Sequence, residues 1–158
     1  MRVALVTVSD SVSQGVREDR SGAALRERCI ALGWQVVSTH VVPDEAFIIQ
    51  ARLIELVDLG LADVVLTTGG TGVGPRDVTP EATVAVCQKL IPGLSELMRE
   101  KGRQATPRAA LSRAIAGVRG RAVIVNLPGS PKGAVESLDA VADLLPHAVE
   151  VLCGARHD

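Results

Sequence analysis

The sequence is poor in aromatic residues and carries little net charge. Trp34 and Phe47 are the two aromatic residues among 158, so platforms on which nucleic-acid bases could stack are not expected. The 17 basic and 18 acidic residues leave a formal net charge of −1, and no basic run stands out against it. Without a basic field to bind a phosphate backbone, a nucleic-acid partner is not predicted.

Long hydrophobic runs and paired cysteines are also missing. The longest apolar stretches are about six to eight residues, well short of a membrane span, and the first residues lead into a strand pattern without signal-peptide features. We therefore expect a cytoplasmic protein with no membrane partner. Cys29, Cys87 and Cys153 form no CxxC pair, which disfavours a disulfide framework or a zinc site and predicts three buried packing residues.

Strand and helix patterns alternate along the chain. Apolar runs predict strands at 3–8, 34–42, 63–67 and 122–126. Helical spacing and capping residues predict helices at 21–32, 44–60, 79–90, 94–101, 107–116 and from 130 to about 149. The second of these helices is expected to bury Ile48, Ile49, Leu53, Leu56 and Val57. We predict a single α/β domain over 1–158, with three layers in which a mostly parallel sheet is flanked by helices.

Four loops follow the carboxyl ends of these strands, where open parallel sheets bind their ligands. They contain Ser9 with Asp10, Asp44, residues 68–77 and residues 127–132. The third loop is the most informative, because four glycines within 69–74 leave backbone N–H groups accessible to a phosphate. Its sequence matches neither the Walker A loop nor the dinucleotide-binding fingerprint.

Asp10, Asp44 and Asp77 lie on three of these loops. A carboxylate beside a phosphate-binding loop suits a divalent cation between the two, so the pattern indicates a magnesium site serving phosphoryl or nucleotidyl transfer. Simpler interpretations stay open. The glycine segment can be a turn without a ligand, Asp44 can be only a helix N-cap, and Asp10 can be a turn residue. Spacing alone names no substrate.

The segments GGTG at 69–72 and PRDVTPEAT at 75–83 resemble the signature of the MoaB/Mog family of molybdopterin-binding proteins. Further segments resemble blocks of this family and occur along the chain in the order expected for it: VTVSD at 6–10, DRSG at 19–22, VPDE at 42–45, LSR at 111–113 and LPGSP at 127–131. The resemblance covers nearly the whole chain, and the long central motif is specific.

The resemblance implies a MoaB/Mog-like fold and the activity of a molybdopterin adenylyltransferase in molybdenum cofactor biosynthesis. Such an enzyme uses ATP and Mg²⁺ to transfer AMP to the terminal phosphate of molybdopterin, and it releases pyrophosphate. Asp44 and Asp77 would be the catalytic residues and the magnesium ligands. The residues implied to bind nucleotide or pterin are Ser9, Asp10, Gly69, Gly70, Thr71, Gly72, Ser112, Asn126, Pro128, Gly129, Ser130 and Pro131. The resemblance also implies a homotrimer and handover of the product to a molybdate-inserting enzyme.

Two other functions are compatible with the same residues. One is a molybdopterin-binding carrier or assembly protein of the same pathway that does not turn over ATP, and the other is a nucleotide-binding regulatory domain. The presence of both Asp44 and Asp77 favours the enzyme. Arg76 and Lys132 are candidates for a cation that stabilises charge on the α-phosphoryl group, although either can simply be a solvated surface residue.

Overall fold

A six-stranded, mostly parallel sheet forms the centre of the computed structural model, which describes residues 1–155. The strands are β1 (Arg2–Val8), β2 (Gln35–Val42), β3 (Val64–Thr68), β4 (Lys89–Leu90), β5 (Ala116–Arg119) and β6 (Ala122–Leu127). Their spatial order is β2-β1-β3-β6-β5-β4. The first four strands in this order are parallel, whereas β5 runs antiparallel to β6 and β4 antiparallel to β5.

Helices cover both faces of the sheet. They are α1 (Asp10–Ser13), α2 (Arg20–Ala31), α3 (Ala46–Asp58), α4 (Thr79–Val86), α5 (Pro92–Ala105), α6 (Pro131–Val141) and α7 (Leu145–Leu152), and a 3-10 helix spans Pro107–Leu111. One core contains Val3 and Leu5 of β1 together with α2, α5 and α6. The other contains Ala4 and Val6 of β1 together with α3 and α4. Successive residues of β1 therefore serve opposite faces, and the predicted three-layer α/β fold is confirmed.

The strands predicted from continuous apolar runs are present. Every residue of β3 and β6 is buried, as are six of the seven residues of β1. Strands covered by helices on both faces lose the alternation of polar and apolar residues that marks a half-exposed strand. The apolar runs in the sequence therefore report the central position of these strands.

The antiparallel edge of the sheet was not predicted. A helix was expected over 107–116, but a short 3-10 helix is followed by β5, which forms a hairpin with β6 around Gly120 at φ +55°. The helix expected over 79–90 is also too long, because α4 ends at Val86 and the chain then pairs with β5. A Cβ on Gly117 would lie 2.7 Å from the Sγ of Cys87, so the strands pack closely there. This long-range pairing overrides the local helical pattern.

Several other boundaries and burial predictions are wrong in detail. Residues 10–13 form α1 instead of a loop, because the Ser9 hydroxyl caps it by accepting from the Val12 amide at 3.2 Å. The helix expected over 94–101 spans Pro92–Ala105, and the single helix expected from 130 onward is divided into α6 and α7. Ile48 is 45% exposed because it lies beside, not on, the buried stripe of α3.

The cysteines and the helix lengths complete this comparison. Cys29 is buried as predicted, but Cys87 is only half-buried and Cys153 is exposed. Burial raises the pKa of the Cys29 thiol to about 11, as expected for an unreactive packing residue. Within residues 1–155, none of the helices is both long and apolar enough to span a bilayer.

Leu138→Ala is expected to lower the free energy of unfolding by about 2–5 kcal/mol, because Leu138 is fully buried between α6 and the sheet. Leu144→Ala is the matched control: this leucine is 45% exposed beyond the end of α6, so its loss should change the free energy by less than about 1 kcal/mol. Chemical denaturation measures both. Equal losses would contradict the inward orientation of Leu138.

Candidate active site at the carboxyl edge of the sheet

The four loops that carry the predicted site residues meet at one edge of the sheet. Strands β2, β1, β3 and β6 are parallel neighbours, and their register pairs Val8 with Val42 and Thr68 with Leu127 at their carboxyl ends. The Ser9 amide extends this pairing by donating to the Val42 carbonyl at 2.9 Å. The convergence that the sequence predicts is therefore present.

The loop between β3 and α4, residues 69–78, is called the glycine loop below. Gly69 and Gly70 begin it with φ of +101° and +68°, a conformation that side chains with a Cβ disfavour. A Cβ on Gly69 would lie 2.3 Å from the Val8 carbonyl oxygen, and one on Gly70 would lie 2.2 Å from Oγ1 of Thr79. Both positions therefore require glycine for backbone conformation and for space.

Thr79 closes the glycine loop onto its own start. The sequence Thr79-Pro80-Glu81 predicts Thr79 as the N-cap of α4, but Val78 occupies that position and Thr79 is the first helical residue. Its hydroxyl donates to the Gly69 carbonyl at 2.9 Å and its amide donates to the Gly70 carbonyl at 3.1 Å. These two bonds bring the end of the loop back to β3.

Asp10 and Asp44 join the ends of β1 and β2 through two reciprocal hydrogen bonds. The Asp10 amide donates to Oδ2 of Asp44 at 2.9 Å, and the Asp44 amide donates to Oδ1 of Asp10 at 3.0 Å. Asp44 is not the N-cap of α3, because Glu45 holds that position and makes no side-chain cap. The interpretation of Asp44 as a helix cap is therefore wrong.

Asp44 is the site carboxylate that resists ionisation. Burial raises its pKa, and the hydrogen bond from the Asp10 amide opposes this in part. The negative charges of Asp10 and Asp77 raise the pKa further, against the smallest effect, that of Arg76. Its Oδ1 lies 3.2 Å from the point where a Cβ on Gly70 would be. The Asp44 carboxylate therefore faces the glycine loop.

Arg76 already has two carboxylate partners. Its guanidinium donates to both carboxylate oxygens of Asp10, at 3.0 and 3.2 Å, and to Oε1 of Glu45 at 2.9 Å. The hydrogen bonds from Arg76 lower the pKa of Asp10, so Asp10 is held ionised. Lys132 is 85% exposed and lies 3.8 Å from Glu136, which fits the solvated interpretation of that residue.

Asp77 lies against the inner side of the glycine loop. Its Oδ2 accepts from the Gly74 amide at 2.8 Å and lies 2.8 Å from the point where a Cβ on Gly72 would be. In the described part of the chain, neither Asp44 nor Asp77 forms an ion pair with a basic side chain. Asp77 also contributes to the raised pKa of Asp44, so the two carboxylates feel each other's charge.

The donor set fits Mg²⁺. Residues 1–155 contain no cluster of three or more potential metal-binding side chains, but Mg²⁺ commonly uses one or two carboxylates and completes its coordination with water and substrate phosphate. A bound cation stabilises the ionised form of two neighbouring carboxylates that have no basic partner. Asp44 and Asp77 are therefore the residues that would hold the metal.

Two clefts adjoin this edge, and Ser130 lines both. The larger, about 460 Å³, is the more polar of the two and includes Ser9, Gly69, Gly129 and Pro131 among its lining residues. The smaller, about 280 Å³, is lined by Thr71, Gly72, Ser112, Pro128 and side chains of α5 and α6. Ser130 caps α6 by accepting from the Gly133 amide at 3.1 Å, so α6 begins where the clefts meet.

Asn126, Asp10 and Gly70 are the predicted binding residues that line neither cleft, and Asn126 lies in the interior. Its side chain is fully buried and donates to the hydroxyls of Thr67 and Thr83 at 3.0 and 2.9 Å, and its Oδ1 accepts from the Ile115 amide at 3.3 Å. All of these partners belong to the protein interior. Asn126 therefore joins β6, β3 and α4 behind the site instead of lining it.

Arg113 is a residue of this edge that sequence reasoning missed. It follows the 3-10 helix, and its side chain reaches the glycine loop, donating to the Gly72 carbonyl at 2.7 Å and the Asp77 carbonyl at 2.8 Å. It also forms an ion pair with Glu81 of α4. No spacing rule connects Arg113 with residues more than 30 positions away, and its membership of the LSR segment was the only sign of it.

Comparison with known proteins identifies the family. Residues 4–147 match the family described as "Probable molybdopterin binding domain". The chain belongs to this family. Proteins named molybdopterin adenylyltransferase are among its relatives: the Helicobacter pylori J99 protein is 42% identical over 98% of this chain and 89% of its own length. The Escherichia coli K12 protein is 43% identical over 90% of this chain and 74% of its own length.

Solved structures of molybdopterin-family proteins share the fold. The molybdopterin biosynthesis enzyme MoaB from Thermus thermophilus superposes with a TM-score of 0.91, at 48% identity over 99% of both chains. The tungsten cofactor synthesizing protein MoaB from Pyrococcus furiosus superposes with a TM-score of 0.86, at 33% identity over 96% of both chains. The predicted MoaB/Mog-like fold is therefore confirmed.

Gly70→Ala should lower the free energy of unfolding more than Gly33→Ala does. Both glycines have positive φ, +68° and +80°, so both substitutions carry the same conformational penalty of about 1–2 kcal/mol. A Cβ on Gly33 meets no atom within 4 Å, whereas one on Gly70 collides with Thr79, which adds about 1–3 kcal/mol of overpacking. Denaturant titration compares the two variants. Indistinguishable losses would show that the loop relaxes freely around Gly70.

Proposed function

We propose that this chain is a molybdopterin adenylyltransferase that transfers AMP from ATP to the terminal phosphate of molybdopterin and uses Mg²⁺. The names of its curated relatives support the activity. The observation that carries the proposal for this chain is the pair of carboxylates that face the glycine loop, Asp44 at Gly70 and Asp77 at Gly72, beside two clefts. This arrangement provides one place for each substrate and a metal-binding edge between them.

The reaction needs two anions to be held together. An oxygen of the pterin's terminal phosphate attacks the α-phosphorus of ATP, a new P–O bond forms, and the bond to pyrophosphate breaks. Because the nucleophile is already an ionised phosphate, the protein has no proton to remove from it. The protein's task is to position both phosphates and to stabilise the charge that develops on the α-phosphoryl oxygens.

The glycine loop supplies neutral donors for this task. Within residues 1–155, the amides of Gly70, Thr71 and Gly72 donate no hydrogen bond to another protein group, whereas the amides of Gly69, Gly74 and Asp77 do. Consecutive free amides in a loop that includes positive φ form a concave site for an anion. We assign phosphate binding to these three amides.

The two carboxylates would hold the metal. Mg²⁺ supplies positive charge that offsets the charge of the phosphates and polarises the reacting phosphoryl group. Asp77 is oriented by the Gly74 amide and Asp44 by the Asp10 amide, so each carboxylate keeps its second oxygen for the cation. Arg76, bonded to Asp10 and Glu45, stabilises these carboxylate loops and is not a free cation for the substrate.

The residues that line the clefts suggest which substrate each cleft would bind. The smaller cleft is mostly apolar, includes Met98 and Ala114 together with Arg99 and Arg108, and suits a ring system that carries a phosphate. The larger cleft is the more polar of the two, with Arg17 and Arg20 beside Glu18 and Asp19, and we assign it to ATP. Ser130 contributes to both clefts, so molecules bound in them would approach each other beside the glycine loop. We propose that ATP and molybdopterin meet there.

The assembly and the cellular setting are also proposals. We propose a homotrimer in the cytoplasm that passes its adenylylated product to a molybdate-inserting enzyme. Exposed apolar side chains, among them Phe47 at 83% and Val73 at 70% exposure, provide surface that association would cover. The family resemblance supports the trimer and the handover.

Asp77→Asn should nearly abolish pyrophosphate release from ATP while leaving the fold intact. The amide still has an oxygen to accept from Gly74, but it loses the charge that a cation needs. The measurement is molybdopterin-dependent pyrophosphate release with Mg²⁺. We expect a fall of at least about 100-fold, consistent with the loss of a group that organises transition-state charge.

Asp143→Asn is the matched control for that experiment, because Asp143 is an exposed carboxylate beyond the far end of α6. It should retain full activity. Release by wild type that requires molybdopterin and disappears in Asp77→Asn supports the adenylyltransferase. Molybdopterin binding without release would instead indicate the carrier, and an active Asp77→Asn protein would remove Asp77 from the reaction.

Asp44→Asn should impair the same reaction without lowering stability at neutral pH. The pKa of Asp44 is raised in the folded chain, so the folded state binds the proton more tightly than the unfolded state. Wild-type stability therefore falls as the pH rises from 3.8, the ordinary pKa, through the raised pKa of the folded chain. The variant lacks this decline. Its free energy of unfolding at pH 7 should equal or exceed that of wild type, and the difference should shrink as the pH falls toward 3.8, the ordinary pKa.

Thermal unfolding of both proteins across this pH range, with and without Mg²⁺, tests the prediction. Mg²⁺ should stabilise wild type and not the variant, because a ligand that binds the folded state raises its apparent stability. A variant that is less stable than wild type at pH 7 and fully active would assign Asp44 a purely structural role.

A further inference from the structure

Arg113 holds both ends of the glycine loop through the loop's backbone. Its own amide donates to the Thr71 carbonyl at 2.9 Å, Nε donates to the Gly72 carbonyl at 2.7 Å, and Nη2 donates to the Asp77 carbonyl at 2.8 Å. The remaining nitrogen, Nη1, pairs with Glu81 in the first turn of α4. One residue thus contacts the beginning of the loop, its end and the helix that follows it.

We propose that Arg113 is a positioning residue, which fixes the path of the glycine loop so that the Asp77 carboxylate stands beside Asp44. The inference rests on the proposed function, because it gives Arg113 its role through the carboxylate pair that would bind the metal. Arg113 would not itself touch the reacting atoms.

Residues 72–77 of the loop have little else to fix them. Residues 73–76 are exposed and contribute no buried side chain, and Gly72 and Gly74 have no side chain to pack. Apart from Arg113, the bonds that connect residues 72–77 with other described parts of the protein come from Arg76, which is itself 56% exposed where it meets Asp10 and Glu45. Exposed ion pairs contribute little to stability, so the inner contacts by Arg113 are the better placed to define the loop.

The contact with the Asp77 carbonyl determines where the Asp77 side chain lies. The Asp77 amide donates to the Gly74 carbonyl at 3.1 Å, and the Gly74 amide donates to the Asp77 carboxylate at 2.8 Å, which makes a small closed turn. Arg113 holds this turn at the Asp77 carbonyl and holds the adjoining backbone at Gly72. Displacement of these carbonyls would carry the carboxylate with them.

The chemistry of arginine suits this position. A guanidinium presents its N–H groups as a rigid planar fork, so one side chain can serve three acceptors in fixed directions, which a lysine ammonium on a flexible stem does not reproduce. Arg113 is itself held on both sides, because Arg99 of α5 donates to the carbonyls of Ser112 and Ala114 at 3.4 and 3.1 Å. The loop is therefore connected through Arg113 to α5.

Arg119 provides a matched control. Its guanidinium also serves three acceptors, the two carboxylate oxygens of Asp58 at 2.9 and 2.7 Å and the Val86 carbonyl at 2.9 Å, but it lies on β5 and touches no residue of the glycine loop. Arg119→Ala removes a comparable set of bonds elsewhere. The free energy of unfolding should therefore fall by a similar amount in Arg113→Ala and in Arg119→Ala.

The test compares wild type with Arg113→Ala, Arg113→Lys and Arg119→Ala by amide hydrogen exchange. The amides of Gly74 and Asp77 should exchange at least about tenfold faster in both Arg113 variants, because the loss of two carbonyl contacts lets the turn open, and at an unchanged rate in Arg119→Ala. Arg113→Lys retains a positive charge opposite Glu81, and its exchange rates at these two amides test the inference if Arg113→Ala does not fold. Unchanged exchange at both amides would overturn the inference.

A second readout follows the carboxylate pair directly, with Mn²⁺ as the probe. The Mn²⁺ affinity of the Arg113 variants should fall by about 10- to 100-fold, as for other residues that orient metal ligands, and Arg119→Ala should bind Mn²⁺ like wild type. Wild-type affinity in an Arg113 variant whose loop exchanges faster would also overturn the inference, since the loop would then not position Asp77.

These outcomes separate the inference from the proposed function. If wild type releases no pyrophosphate, the adenylyltransferase proposal fails, and the exchange and Mn²⁺ measurements still decide whether Arg113 positions the carboxylate. If wild type is active, addition of guanidinium to Arg113→Ala should restore part of the activity and have no effect on Arg119→Ala. Full activity of Arg113→Ala without guanidinium would overturn the inference.

Discussion

Parallel pairing of β2, β1, β3 and β6 is the constraint on which the rest of the structure depends. Asp10 and Asp44 are 34 residues apart in sequence, yet they exchange two hydrogen bonds because each follows the carboxyl end of one of two neighbouring parallel strands. The glycine loop follows the next strand in the sheet, and Ser130 lies close behind the one after it. A strand order that separated these four would disperse the site without changing any local sequence.

The same pairing concentrates negative charge. Asp10, Glu45, Asp44 and Asp77 come together at the edge of the sheet, and Arg76 offsets the first two by direct contact. Within residues 1–155, Asp44 and Asp77 have no such partner, and the raised pKa of Asp44 records the cost of burial and of its acidic neighbours. A compensating cation would stabilise a charge arrangement of this kind at neutral pH, and a magnesium-bound polyphosphate would bring one.

Local signals explain what could be predicted from the sequence, and distant partners explain the rest. Apolar runs identify the buried strands, and the crowded glycines of 69–74 identify a loop that needs positive φ. The helix predicted over 107–116 is instead a 3-10 helix over Pro107–Leu111, and pairing with β6 and β4 makes Ala116 the first residue of a strand. Asn126 ends a strand near a glycine turn, yet its side chain is bound in the interior. Arg113 contacts a loop more than 30 residues before it, and no local pattern predicts that contact.

The two arginines of the site hold the glycine loop through acceptors of different kinds. Arg76 binds carboxylates, and its hydrogen bonds lower the pKa of Asp10, while Arg113 binds backbone carbonyls, which do not titrate, and lowers the pKa of Glu81. As the pH falls, Asp10 therefore stays ionised longer than Asp44, whose pKa is raised from the same ordinary value. Protonation therefore reaches Asp44 before it reaches Asp10, the carboxylate that binds Arg76. The contact between Arg76 and Asp10 would therefore persist at a pH at which Asp44 has lost the negative charge that its proposed role requires.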